Sequence, residues 1–321
     1  MKPYISVMIP TIRVGGLDVL FSSLENQTFK DFELVLVDSL YEYRKDIVAK
    51  VSLNHSFRIK HVPSLGNKLT ATQYSRALNT GVINCSGQIM YTICDYAWLD
   101  PNCLELHANF HKNEKSDKNY GYICSYNVGK LPKLHKDFDN IYAGNTPYDT
   151  PENKIKFVEQ EMSSFNNYIN DLNSGKLNSL MYSIFNSPFT IESSSSIFEI
   201  IDHKVSPPLG ITSTSNCFIR NESYVLEDVI AINGFNEALD GSYGWNDWEF
   251  LDRLQARLGT KLYNNPAITT IVIDCRKIMY GRLRERDVFA NEAIWKHGKA
   301  TNFKDNVNTW SLKDMRDINE Q

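Results

Sequence analysis

Ile5-Ser-Val-Met-Ile9, stopped by Pro10, and Glu33-Leu-Val-Leu-Val-Asp38 are two short apolar runs, and their reading decides the fold. An apolar run of this length bounded by a turn residue reads as a buried strand. Between them Leu17, Leu20, Phe21 and Leu24 recur at helical spacing, through Gln27. Further along, Phe57 to Val62 predicts a third strand, Thr70 to Val82 a helix, and Gln88 to Ile93 a fourth strand. Strands alternating with helices at this spacing imply a mostly parallel sheet with helices on both faces. In such α/β sheets ligands sit beyond the carboxyl ends of the strands. That rule singles out Pro10 and Thr11, Asp38, and the residues after Ile93.

Composition bounds the rest. The chain has 321 residues, 34 basic and 38 acidic side chains and a formal net charge of -4. Its length suggests roughly two domain-sized units or one large α/β domain. At 42% hydrophobic and 22% charged it can bury a sizeable core. A sequence pI near 6.0 argues against nucleic-acid binding by bulk charge. No stretch approaches the ~20 apolar residues of a spanning helix, so no transmembrane segment is expected. Met1-Lys-Pro-Tyr4 runs straight into the first strand without a signal peptide, and the expected location is cytoplasmic. The six cysteines (Cys85, Cys94, Cys103, Cys124, Cys217 and Cys275) form no CxxC pair and are expected to stay reduced. His107 and His111 have ligand spacing on a helix, but without a third ligand they read as a solvated helix face.

The later chain divides unevenly. Residues 1–128 form the alternating half, whereas 129–208 turn polar and rich in Asn and Ser, including Ser193 to Ser196. A structureless loop that long is improbable in a compact domain, so 129–208 is expected to be an inserted subdomain or lid with short helices such as Pro151 to Asn173. Order returns in 209–283: Ile211 to Ile219 as a strand, Glu222 to Ile232 as a helix stopped by Asn233-Gly234, Asp247 to Leu258 as a helix closed by Gly259, and Ile268 to Ile273 as a strand ending at Asp274. Residues 284–321 make a helical, then polar, tail.

Asp38, Asp95, Asp247 and Asp274 each end or follow a strand or begin a helix. A single such Asp is weak evidence, because turns and helix starts favour it. Gathered on one rim, carboxylates bind a hard cation or share a proton.

Taken in order, the motifs resemble a known family. Ser6-Val-Met-Ile-Pro-Thr11 followed by Leu24-Glu-Asn-Gln-Thr-Phe-Lys-Asp-Phe-Glu-Leu-Val-Leu-Val-Asp38 resembles the opening of the family 2 glycosyltransferases of GT-A fold. Ala77-Leu-Asn-Thr-Gly-Val82, then Cys85-Ser-Gly-Gln-Ile-Met-Tyr91, is similar to the second conserved block of that family. Cys94-Asp-Tyr-Ala-Trp-Leu99 stands where the family has its Asp-Asp or DxD element. Asn233-Gly-Phe-Asn-Glu237 and Gly244-Trp-Asn-Asp-Trp-Glu-Phe-Leu-Asp-Arg253 are similar to its late Gly-Phe-Asp-Glu and Glu-Asp blocks. The resemblance covers the chain except the middle insertion and the tail.

The resemblance implies a GT-A sheet and transfer of a hexosyl or deoxyhexosyl group from a nucleoside-diphosphate sugar to a glycan, lipid-linked or protein-linked acceptor. It implies Mn²⁺ or Mg²⁺ on the diphosphate as a Lewis acid. An inverting enzyme also needs one base to take the acceptor proton. By resemblance Asp247 is that base, and Asp38 holds the nucleotide base in a pocket lined by Pro10, Thr11 and Arg13. Asp95 is implied as metal ligand and donor contact, Asp274 as a late metal or diphosphate ligand, and Trp245 as a donor contact.

Two departures stand out. Cys94 replaces a family Asp, and a neutral thiol is a poor ligand for a hard cation; Asn246 replaces a family Glu. They motivate an alternative, a non-catalytic GT-A scaffold that binds glycan or a partner, and retaining chemistry is also open on this fold. A sugar-nucleotidyltransferase is disfavoured, because Arg13-Val-Gly-Gly16 is too short to be its Gly-rich loop. Trp98, Trp245 and Trp248 lie beside the motifs as core or as sugar-stacking surfaces.

Overall fold

The computed structural model describes residues 2–11, 17–64, 73–95, 97–113, 120–130, 199–202, 210–212, 221–241, 244–273, 285–305 and 307–319. The elements are β1 (Ile5–Thr11), α1 (Leu17–Glu25), β2 (Phe32–Asp38), α2 (Tyr41–Ser52), β3 (Arg58–Pro63), α3 (Tyr74–Asn84), β4 (Ile89–Ile93), β5 (Ala97–Leu99) and α4 (Cys103–Asn113). They continue with β6 (Tyr120–Lys130), β7 (Glu199–Asp202), β8 (Gly210–Thr212), β9 (Asn221–Val225), α5 (Leu226–Ala231), a short 3₁₀ turn (Glu237–Leu239), α6 (Asn246–Leu258), β10 (Lys261–Ile273), α7 (Glu285–Ala300) and α8 (Leu312–Asn319).

One sheet runs β3-β2-β1-β4-β9-β6-β10-β5, with β7 on β6 and β8 on β10. The first four strands are parallel, as their alternation with helices requires. β9 then enters antiparallel to both β4 and β6, and β6 lies parallel to β10. The N-terminal and C-terminal halves therefore share a single α/β sheet. Residues 131–198, including the predicted helix Pro151 to Asn173, lie outside the described residues, but their flanks belong to neighbouring antiparallel strands β6 and β7.

The core explains why the halves hold together. Met8, Val35 and Val37 of the parallel strands pack with Ala77, Leu78 and Val82 of α3 and with Phe250, Leu251 and Leu254 of α6. Leu312 of the tail helix α8 joins the same cluster, and Arg316 donates to the carbonyls of Val82 and Cys85. α3 lies so close to β1 that a Cβ at Gly81 would sit 2.1 Å from Met8 Sδ, so only glycine fits.

Several local readings change. Pro10 does not stop β1, which runs to Thr11 opposite Asp38. α2 escapes an apolar search because Arg44 takes a core position beside Ile47, Val48 and Val51. The expected helix from Glu222 begins only at Leu226; Asn221 to Val225 is a central strand. Its buried Asn221, Glu222 and Ser223 hide the alternation that marks most strands. Of the strand expected from Ile211 to Ile219, only Gly210–Thr212 is described. His107 and His111 are not solvated: both are buried, with ring nitrogens 2.7 and 2.8 Å from Ser223 Oγ.

Candidate functional site

The ends of β1 and β2 carry Pro10, Thr11 and Asp38, and the turn after β4 carries Asp95. Beyond β1 and β2 the chain stays pinned by Ser39 N donating to Thr11 O and Ser64 N to Asp38 O. Thr11 Oγ1 donates to Asp95 Oδ2 at 2.7 Å, joining the end of β1 to the turn after β4. Both residues are buried. Pro10 lies one position before this pair, and Cys94 is a partly exposed, reduced thiol beside Asp95.

Asp38 is more heavily engaged than the sequence suggests. Its Oδ1 accepts from Leu40 N at 2.7 Å and Arg44 Nη2 at 2.6 Å; its Oδ2 accepts from Arg44 Nε at 2.9 Å and faces His61 Nε2 at 2.9 Å. A carboxylate accepts only, so His61 donates through Nε2. Tyr41 packs over the His61 ring with centroids 4.6 Å apart. Burial alone would raise the Asp38 pKa, but the Arg44 charge and the hydrogen bonds from His61 and Arg44 outweigh it and hold the carboxyl below its usual range. With these acceptor positions filled by protein donors, Asp38 fixes the positions of Arg44 and His61.

A second cluster joins the starts of two helices. Ser75 N and Arg76 N, in the first turn of α3, donate to Asp240 Oδ1 and Oδ2 at 2.8 and 3.1 Å. Asn246, the first residue of α6, donates from Nδ2 to Ser75 Oγ at 2.6 Å. Asp247, half-buried, is the next residue, so it stands in the turn of α6 that begins against the first turn of α3. Burial pushes the Asp240 pKa up to about 6, against the hydrogen bonds from Ser75 and Arg76 that lower it; the Glu237 charge adds to the rise.

The motif residues around this cluster hold it in place. Asn79 donates to Phe235 O and Glu237 Oε1 and accepts from Phe235 N, tying the second block to the third. At Gly234 (φ 68°) an added Cβ would fall 2.3 Å from Asn79 Oδ1. Arg253, fully buried, pairs with Glu249 at 2.8 Å and donates to Ile232 O and Gly234 O. Trp245 is left-handed (φ 69°), an uncommon conformation for a bulky residue. Its ring packs against Trp248 and Trp295 at 4.9 and 4.6 Å, and Asn291 Nδ2 spans Leu239 O and Gly244 O.

The structure thus brings Thr11 to Asp95, and the neighbour of Asp247 to the start of α3. Arg13 and Asp274 lie outside the described residues. Sequence reasoning missed Arg44, His61, Ser75 and Asp240. No motif carries them, and each matters through a partner at least six positions away.

No family model matches the chain, and no curated protein matches it. Solved structures do. TarS of S. aureus, residues 1-349 in complex with UDP-GlcNAc, superposes with a TM-score of 0.54 at 10% identity, over 98% of this chain and 69% of that one. The longer S. aureus TarS structure gives 0.52 at 12% identity, over 93% of this chain. At these identities the likeness is one of fold, and the chain has the GT-A, Rossmann-like α/β fold that its motifs implied. It spans 39% of the longer TarS chain.

Proposed function

We propose that the protein is a glycosyltransferase that moves a sugar from a nucleoside diphosphate to an acceptor hydroxyl, with inversion and with Asp247 as general base. The observation that carries this reading is the Thr11–Asp95 pair at the ends of β1 and β4, together with the tie from the start of α6 to the first turn of α3. The likeness to a TarS structure holding UDP-GlcNAc supports a nucleotide-sugar donor. Asp95, with Pro10, Thr11 and Trp245, borders the donor; Asp38 shapes the nucleotide pocket through Arg44 and His61. In a direct displacement the Asp247 carboxylate accepts the acceptor proton as oxygen attacks the anomeric carbon and the diphosphate leaves. Arg13 and Asp274 complete the proposed set from sequence resemblance alone. The acceptor class, a glycan, lipid-linked or protein-linked, follows from the same resemblance.

The resemblance also implies Mn²⁺ or Mg²⁺. Among the described residues no group of three or more His, Cys, Asp and Glu side chains could hold a metal ion. Around Asp95 the neighbour is a thiol where a second carboxylate would stand, and hard cations favour oxygen ligands. An ion held there would rely on Asp95 and on oxygens of the donor diphosphate, with Asp274, outside the described residues, as the further ligand that the resemblance implies.

The test is transfer and donor hydrolysis across a panel of UDP-, GDP- and dTDP-sugars, repeated with Asp247→Asn. A base lost from the transition state costs about 10²–10⁴ in rate with little change in donor affinity. Normal turnover in the variant removes Asp247 from the mechanism. Donor binding without hydrolysis or transfer by the native protein favours the scaffold reading, for which Cys94 and Asn246 speak.

A further inference from the structure

Asn246 occupies a position where the family resemblance has an acid, yet it is not an idle replacement. Its amide lies 2.6 Å from Ser75 Oγ, and the Ser75 backbone N–H in turn donates to Asp240 Oδ1 at 2.8 Å. Asp240 also accepts the two backbone N–H groups that open α3, donors that no residue within the helix can satisfy. Asp240 and Asn246 thus grip the same turn of α3 from either side of Gly244 and Trp245, with Asn291 bridging Leu239 O and Gly244 O at 3.0 and 2.9 Å. The left-handed Trp245 is what such a grip can sustain: strained backbone persists only where its surroundings over-determine it.

Resting on the reading of Asp247 as base, we propose that Asn246, Ser75 and Asp240 are positioning residues, a hydrogen-bonded chain that fixes the first turn of α6, and the Asp247 carboxylate with it, against the first turn of α3. An acid at 246 would bring a second carboxylate to the residue that Asp240 already holds; the amide supplies a donor to Ser75 Oγ instead, while Ser75 N donates to Asp240. The chain works only while Asp240 is ionised. When Asp240 takes a proton, one oxygen carries the O–H and becomes a weaker acceptor for an α3 amide. Protonation falls at about pH 6, so the first turn of α6 loosens as pH drops through that value. The charged groups facing Asp240 are Glu237 from its own turn and Arg76 from α3, whose Nε lies 3.3 Å from Glu237 Oε2; from α7 the neighbour of this turn is the neutral Asn291.

The experiment is the pH profile of kcat and donor KM for native protein, Ser75→Ala, Ser75→Thr, Asn246→Ala, the Ser75→Ala/Asn246→Ala double variant and Asp240→Asn. Hydrogen exchange at the start of α6 is followed in parallel. Loss of alignment by a fraction of an ångström to 1 Å costs up to about 100-fold in rate. Ser75→Ala and Asn246→Ala should each lower kcat about 10- to 100-fold with donor KM nearly unchanged. The double variant should be no worse than either, because both break one chain. Ser75→Thr, which keeps the hydroxyl, should retain activity. The native protein should lose exchange protection at Trp248 and Glu249, and kcat, as pH falls through about 6, and Asp240→Asn should abolish that step. Additive losses, losses confined to thermal stability, or an acid limb unmoved in Asp240→Asn would overturn the proposal. Failure of the underlying reading is separately visible, as full turnover in Asp247→Asn.

Discussion

Asp38 and Asp240 are the same residue type, one buried and the other half-buried, both bonded to backbone N–H, and their carboxyls shift in opposite directions. Asp38 sits below its usual 3.8 and Asp240 rises to about 6. The difference is a buried cation. Arg44, with no exposed side-chain surface, lies 2.6 Å from Asp38, whereas Asp240 accepts from backbone N–H groups and has a like charge, Glu237, nearby, to which the Arg76 guanidinium is turned. Dipoles of a helix start offset part of the cost of burying a charge; a full opposite charge at contact offsets it entirely. Asp38 is therefore built to remain ionised and Asp240 to titrate.

Breaking the ion pair should have the largest effect. Arg44→Met leaves Asp38 buried without its cation, and urea unfolding should show a loss of about 3–5 kcal/mol. The linkage between pH and stability separates the two acids more sharply. Asp38 has a folded pKa below its unfolded value, so its contribution is present above about pH 3.8 and is lost as pH falls through the folded value. The Tm gap between native protein and Asp38→Asn should be constant from pH 5 to 7 and narrow below 3.8. Asp240 has the opposite sign. Its folded pKa of about 6 exceeds the unfolded 3.8, so the folded state binds the proton more tightly and stability falls as pH rises from about 3.8 to 6. Relative to Asp240→Asn, the native protein should gain Tm as pH drops across that window; a gap that stays flat would mean that Asp240 is not desolvated.

Smaller again is the effect of restoring the absent acid. Cys94 is only partly covered, so Cys94→Asp should change Tm little. Beside Asp95 it adds an anionic oxygen, and calorimetry should register tighter Mn²⁺ binding than in the native protein. Equal affinity would indicate that the side chain at 94 points away from Asp95.

The same contrast explains how much of the site could be read in advance. Asp38, Asp95 and Asp247 were legible because each sits at a strand end or helix start, positions that sequence periodicity locates. Thr11 was legible as the end of β1, but that its hydroxyl meets Asp95, 84 positions on, was not. Arg44 was invisible because an arginine on the inner face of a polar-looking helix reads as surface, and only the Asp38 carboxylate makes its burial tolerable. β9 was misread for a related reason. Its buried Asn221, Glu222 and Ser223 hydrogen-bond with Tyr91, Tyr224, His107 and His111, partners drawn largely from other elements.

By itself the sequence determined the parallel half of the sheet, the rim on which the acids stand and the order of motifs that marks a GT-A fold. These follow from local periodicity and from turn chemistry, which act over a few residues. Tertiary structure alone decided which polar side chains are buried, which carboxylates are saturated and which are poised to titrate, and that Asn246 ties α6 to Ser75, 171 positions earlier. Burial and charge pairing depend on what long-range folding places within about 4 Å, and no spacing along the chain encodes that.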